Sequence, residues 1–417
     1  MSTDLTSINL IEEEFEREIA KYVGTRYAIL CSSGRTAIRL CLWALGVRHG
    51  DEVVVPDFAS KIVPIAVFCN GAIPIFSDID RKTLAMSPKS LAEVVGKRTK
   101  AVIFIHPFGY AVDPSPILEI TNRLGIAFID DAAQAFGATV KGKETGSFGN
   151  VGILTFNKAF NVDHGAAITT NDQDLASRIR QIRKKHETKW LFASFSYGVT
   201  ASLGLESEQI MRTIFWSDKY LHRLRDIMLA KGRFRSTYDW RKFIPHIIEL
   251  WRSDKLTIDI TDDLMAYVRS YSHRRKLEKA ETLRLKHEFG YWERYLQSRR
   301  TIAKMYDEHL EEVGFSKIVV PEGSEPSYWR YPILFLDRDK LSRCIREMSQ
   351  AGFHIDGRYK PLHTSPLFDW MEWKRPLKEC VYVWQHILPL PVARAHPMNL
   401  EEAMRVISTI KLCTREP

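Results

Sequence analysis

Ile126-Ala127-Phe128-Ile129-Asp130-Asp131-Ala132-Ala133-Gln134 is a short apolar run that ends on two carboxylates. It reads as a strand over 126–130, and the C-terminal ends of such strands are where open α/β sheets hold their ligands. Similar runs recur on both sides. Residues 27–31, 52–55, 73–76, 101–105, 151–156 and 166–170 read as further strands, with helical patterns between several of them, including one over 35–45. Strands alternating with helices predict a doubly wound α/β domain with a mostly parallel sheet.

Beyond that domain, taken as residues 1–200, the character changes. From Met211 to Arg300 there are 21 Lys and Arg against 12 Asp and Glu, strand signals fade, and Trp and Tyr are frequent. Residues 201–288 therefore read as a basic, aromatic-rich helical insertion. A linking helix over 289–313 then leads into a small C-terminal α+β domain, the unit as a whole covering 289–417. Its expected strands lie at 331–335 and 387–390, and its expected helices at 340–351 and 400–412.

At 417 residues, with 45% hydrophobic residues, the chain has material for two or three globular domains. The six cysteines are scattered without a C-x-x-C pair, so neither a disulfide framework nor a zinc site is indicated, no metal is expected, and a reducing cytoplasm fits. The first 24 residues read as an acidic amphipathic helix rather than a signal peptide, and no apolar stretch is long enough to span a bilayer. A net charge of +9 fits an anionic partner or, equally, a solvated basic surface.

Lys158 follows Asp131 by 27 positions, inside Thr155-Phe156-Asn157-Lys158-Ala159-Phe160. Desolvation between two apolar runs would lower its pKa and leave an amine able to form a Schiff base; the bland alternative is a solvated lysine. Upstream, Ser32-Ser33-Gly34-Arg35-Thr36 follows a strand and opens a helix, so its backbone N–H groups suit a phosphate and Arg35 adds charge. Read alone, Ser32 or Ser33 is an ordinary helix cap, and so is Asp130 or Asp131. Together, amine, carboxylate and phosphate turn are what pyridoxal phosphate requires, the carboxylate keeping its pyridine nitrogen protonated. The loop Gly357-Arg358-Tyr359-Lys360-Pro361-Leu362-His363 offers basic groups to an anionic substrate, while His164 and His363 read as packing or loop residues.

These motifs resemble the fold-type I pyridoxal-phosphate-dependent aminotransferases, in the sugar-aminotransferase branch typified by DegT and StrS. The likeness covers roughly 20–200 and 290–417. It is strongest in Cys31-Ser32-Ser33-Gly34-Arg35-Thr36-Ala37, Gly50-Asp51-Glu52-Val53-Val54-Val55-Pro56, Gly71-Ala72-Ile73-Pro74-Ile75-Phe76-Ser77-Asp78-Ile79-Asp80, Asp131-Ala132-Ala133-Gln134-Ala135-Phe136-Gly137, and Lys158 with Thr170-Asn171-Asp172 downstream. The resemblance implies that Lys158 carries the cofactor, Asp131 pairs with its ring nitrogen, Gln134 lies against it, and Ser33, Gly34 and Arg35 hold its phosphate. It leaves a phosphate contact from Thr155 open. Arg35 stands where the family usually has Thr. Ser60 stands where a flat side chain commonly stacks on the ring, a role Phe58 would fill if the segment were extended. His164-Gly165-Ala166 replaces a Gly-Gly pair, and Phe195-Ser196-Tyr197-Gly198 replaces a segment the family offers to its partner subunit.

The expected activity is transfer of an amino group, with glutamate as donor, to a nucleotide-linked keto sugar for cell-surface polysaccharide or secondary metabolism, by a cytoplasmic homodimer. A sugar dehydratase with the same cofactor is the first alternative, which Lys158 opposes because that branch commonly carries His there. A non-catalytic scaffold is the second. Aromatics interleaved with Lys and Arg in the insertion fit either core packing or peripheral contact with anionic membrane. No nucleic-acid-reading module is recognisable.

Overall fold

The computed structural model of this chain describes residues 2–162, 164–186, 277, 279–365, 368, 377–393 and 398–414. The segment 195–198, and the insertion expected over 201–288 apart from 277 and 279–288, lie outside the described residues.

The large unit comprises, in order, α1 (Ser2–Val23), β1 (Tyr27–Cys31), α2 (Gly34–Ala44), β2 (Glu52–Pro56), α3 (Ile62–Cys69), β3 (Ile73–Ser77), α4 (Pro88–Val94), β4 (Thr99–Ile105), α5 (Ser115–Leu124), β5 (Ala127–Asp131), β6 (Thr139–Val140), β7 (Lys143–Glu144), β8 (Val151–Thr155), β9 (Ala166–Thr170) and α6 (Gln173–His186). Seven of these strands form one sheet in the order β1-β9-β8-β5-β4-β2-β3. The pairs from β8 to β3 are parallel, and β9 runs antiparallel between β8 and β1. The chain thus adopts the α/β class with a mostly parallel sheet.

Both faces of that sheet are covered, which is why its strands read as continuous apolar runs. Successive side chains alternate between faces. Val53, Val55, Ile103, Ile129 and Ile153 pack on one side with α2 and α3. Val54, Val102, Phe104 and Phe128 pack on the other. The strand expected over 126–130 lies one residue later, at Ala127–Asp131, which puts Asp131 inside the ladder opposite Ile105.

The helix expected over 289–313 is two helices, α7 (Lys279–Phe289) and α8 (Trp292–His309). The break is a turn at Gly290 and Tyr291, whose N–H groups bond to the carbonyls of His287 and Glu288. Beyond it come β10 (Phe315–Lys317), β11 (Ser324–Glu325), β12 (Arg330–Phe335), α9 (Arg338–Gln350), α10 (Lys378–His386), β13 (Ile387–Pro391) and α11 (Leu400–Thr414). An antiparallel sheet β10-β12-β13 shares a second core with α8, α9 and α11, built on Tyr306, Ile333, Cys344 and Ile407. β11 instead crosses back to pair with β6 of the large unit. Among the described residues no helix is long and apolar enough to cross a membrane.

Candidate active site

The C-terminal ends of β1, β5 and β8 open on one side of the sheet, and the antiparallel β9 begins there. A cavity of about 290 Å³ lies at this edge. Of the residues singled out from the sequence, Ser33, Gly34, Arg35, Asp131, Gln134, Thr155 and Lys158 all line it. Ser60, Asn157, His164 and Gly165 join them, so His164 belongs to the cavity wall rather than to packing elsewhere.

Asp131 shares the strand face of Ile129 and so points to the α2 side. It is buried, and its Oδ1 accepts one hydrogen bond, from the Ala133 N–H at 2.9 Å. Burial holds its carboxyl above the ordinary value, partly opposed by that bond and by Lys158. Asp130 faces the other way and is fully engaged. It accepts from His106 Nε2 at 2.9 Å and from the Gly146 and Phe148 N–H groups at 2.7 and 3.0 Å. His106 Nδ1 accepts from the Val112 N–H, so its proton sits on Nε2. Neither carboxylate caps a helix, because turns rather than a helix follow β5.

Lys158 ends a single 3₁₀ turn, Phe156–Lys158. Its Nζ lies 4.8 Å from the centre of the Trp329 ring, a cation–π contact supplied by the C-terminal unit. Burial pushes its pKa down from 10.5 to about 8, with Asp131 and Asp356 pulling the other way. Asp356 is itself held by Arg330 through two bonds of 2.5 and 2.8 Å.

At the opposite wall Ser33 is the N-cap of α2, its Oγ accepting from the Thr36 N–H at 3.3 Å. The cap does not consume the first N–H groups of the helix, so capping and anion binding coexist. Gly34 is required by close approach: a Cβ there would stand 2.7 Å from Thr155 Cγ2. Thr155 donates its hydroxyl proton to the Ala133 carbonyl at 2.9 Å. Gly165, with φ of +109°, turns the chain into β9, a conformation closed to other residues, and its N–H bonds to the Ser32 carbonyl. Gln134 lines the cavity while its Oε1 accepts from the Phe108 N–H at 2.9 Å.

One expectation is corrected. Phe58 does not share a face with Ser60, because residues 57–59 form a bend; its ring packs instead on Tyr359 and Phe108, 5.6 and 6.0 Å away, outside the cavity lining. In the loop 357–363 Lys360 is exposed, while Arg358 and His363 are engaged within the protein. Arg358 donates to the carbonyls of Ile387 and Trp384, and His363 Nδ1 lies 2.6 Å from the buried Asp57 carboxylate. Trp329 escaped the sequence reading, since nothing local distinguishes it from a core aromatic. Among the described residues no cluster is placed to hold a metal ion.

These residues fit pyridoxal phosphate: an amine and a buried carboxylate face one cavity together with the N-terminus of α2, where Gly34 packs directly against Thr155. The sequence pattern described as the DegT/DnrJ/EryC1/StrS aminotransferase family matches residues 4–197 and 264–411. GDP-perosamine synthase of Caulobacter vibrioides is 34% identical over 241 residues, 54% of this chain and 65% of that protein. The UDP-2-acetamido-2-deoxy-3-oxo-D-glucuronate aminotransferase of Pseudomonas aeruginosa is 38% identical over 174 residues, 41% of this chain and 48% of that one. The chain thus spans about half to two thirds of the length of these relatives. The crystal structure of NtdA from Bacillus subtilis, with bound cofactor PMP, superposes with a TM-score of 0.67 at 20% identity, over 97% of this chain and 77% of that one.

Proposed function

This chain belongs to the DegT/DnrJ/EryC1/StrS aminotransferase family, and from that premise we propose that it transfers an amino group from glutamate to a nucleotide-linked keto sugar, using pyridoxal phosphate. The observation that carries the reading is the Lys158 amine and the Asp131 carboxylate lining one cavity with the N-terminus of α2. The printed activities of the relatives support the substrate class, GDP- and UDP-linked sugars among them. When bound, the cofactor supplies a carbonyl that condenses with amines and a ring that takes up the electrons released at the substrate carbon.

Lys158 would hold the cofactor through its amine, and that amine, when free, would carry the proton removed from the substrate carbon. A lowered pKa suits both tasks, because attack needs the neutral amine and proton return needs the charged one. Asp131 would place its carboxylate against the cofactor's ring nitrogen, and a cation there would favour the ionised form that burial alone disfavours. Ser33, Gly34 and the first N–H groups of α2 would receive the phosphate, with Arg35 beside them. Gln134, tied to the Phe108 backbone, presents a fixed flat side chain to the cavity. The basic balance of the chain suits the diphosphate of a nucleotide sugar. A cytoplasmic homodimer completes the proposal by family likeness, and peripheral contact with anionic membrane through the insertion is a separate question for vesicle sedimentation.

The deciding experiment is borohydride reduction after addition of pyridoxal phosphate, followed by peptide mapping and an amine-transfer assay. A reduced adduct on Lys158 and turnover that vanishes in K158A are expected. An adduct on another lysine, with transfer intact in K158A, would overturn the reading.

A further inference from the structure

The backbone that carries Lys158 is held from outside the large unit. Arg299, on α8, is only 3% exposed, and its Nη2 donates to the carbonyls of Lys158 and Ala159 at 2.8 and 3.1 Å. Among the described residues no carboxylate pairs with it, and its Nε has no hydrogen-bond partner. Its guanidinium lies 5.1 Å from the centre of the Trp292 ring. Burying a cation this way is costly, and the two carbonyls are the groups that offset the cost.

Those carbonyls lie at the end of the 3₁₀ turn, where a helical segment leaves acceptors without internal partners and where a positive charge is favoured. The flanks of the turn are wedged as well. Phe156 and Phe160 stack at 5.4 Å, and Phe160 meets Trp292 at 5.7 Å. Trp292 in turn donates its Nε1–H to the Tyr22 hydroxyl at 2.8 Å. The lysine therefore projects from a backbone clamped between an aromatic cluster and a fork of N–H donors.

We propose that Arg299 is a positioning residue for Lys158: by holding the two carbonyls at the end of the turn, it fixes where the amine stands relative to Asp131 and Trp329. The inference rests on the proposed role of Lys158, but its first readout does not. A surface-tethered lysine has many rotamers to lose, whereas one whose backbone is clamped and whose amine meets a fixed ring and carboxylate is already oriented. The same clamp ties the linking helix to the reacting group, so a shift of α8 would be felt at the amine.

The test is the pH profile of reductive methylation of Lys158, using formaldehyde and cyanoborohydride on the cofactor-free full-length protein, with peptide mapping, in R299M and R299K. Loosening the backbone lets water reach the amine, so the labelling midpoint should move up by about one pH unit in R299M. R299K keeps the charge but reaches less far with one ammonium, and its midpoint should fall between R299M and the parent. In protein loaded with pyridoxal phosphate, amine uptake from glutamate should slow by roughly 10- to 100-fold in R299M, the scale of a misplaced reacting group. Lower thermal stability with the parental midpoint, in either folded variant, would reduce Arg299 to a structural role and overturn the proposal. If R299M does not fold, R299K alone decides it by the same criterion. Failure of the parent protein to form an adduct on Lys158 would instead count against the cofactor reading, and the methylation comparison would still stand.

Discussion

Two adjacent carboxylates, Asp130 and Asp131, have different fates because a strand turns successive side chains to opposite faces. Asp130 is spent on His106 and two backbone N–H groups, whereas Asp131 accepts one backbone bond and faces the cavity. D130N should therefore cost stability, about 2 kcal/mol for a disrupted buried network, measured by denaturant unfolding. D131N should leave stability nearly unchanged and lower amine transfer by roughly 10²-fold or more; the reverse pattern would exchange the two roles. For Lys158 the sign of the pH dependence follows from a pKa pushed down to about 8. At pH 7 roughly one amine in ten is neutral, so adduct formation should accelerate with pH and level off above the pKa. A rate that keeps climbing toward the ordinary lysine value of 10.5 would mean that the amine is solvated.

Among the elements, the turn from β1 into α2 and the end of β8 constrain each other. The missing side chain of Gly34 is the space that Thr155 Cγ2 occupies, and Thr155 is a stiff, buried, β-branched residue. G34A should destabilise the site by about 1–3 kcal/mol through overpacking and weaken binding of pyridoxal phosphate. G34A/T155S should recover much of both, since Ser keeps the hydroxyl bonded to Ala133 and removes the offending methyl. A fluorescence titration of cofactor binding would show it; no recovery would mean that the contact is relieved elsewhere. The seven strands of the main sheet were legible because each contains a short apolar run bounded by polar or turn residues. The two-residue strands β6, β7 and β11 carry no period and went unread. The bend at 57–59 also left no mark, and it removed Phe58 from the cavity.

At the scale of the whole molecule the C-terminal unit is tied to the large one by carboxylates far away in sequence. Asp78 accepts from the N–H groups of Glu379 and Cys380 at 3.0 and 2.9 Å, capping α10 from across the interface. Arg81 pairs with Glu379 and lies 3.6 Å from the Tyr382 ring centre, and Asp57 holds His363. D78A should lower stability by about 1 kcal/mol, the usual worth of a lost cap, read from the shift of the chemical unfolding midpoint. An unchanged midpoint would show that water replaces the carboxylate without loss. This docking brings Trp329 to the Lys158 amine and Asp356 near it. The sequence by itself determined the α/β class and the order of strands and turns. It also marked the Ser33-Gly34 turn, the Asp130-Asp131 pair and Lys158 as candidates, because apolar runs, a small-residue turn and a lysine between apolar runs are local patterns, whereas Gln134 came from the family resemblance alone. Tertiary structure alone decided which of two carboxylates faces the cavity, that Phe58 leaves it, and that Trp329 and Arg299 reach Lys158. Those outcomes depend on strand parity, on a bend and on contacts between segments more than a hundred residues apart, where a local pattern holds no information.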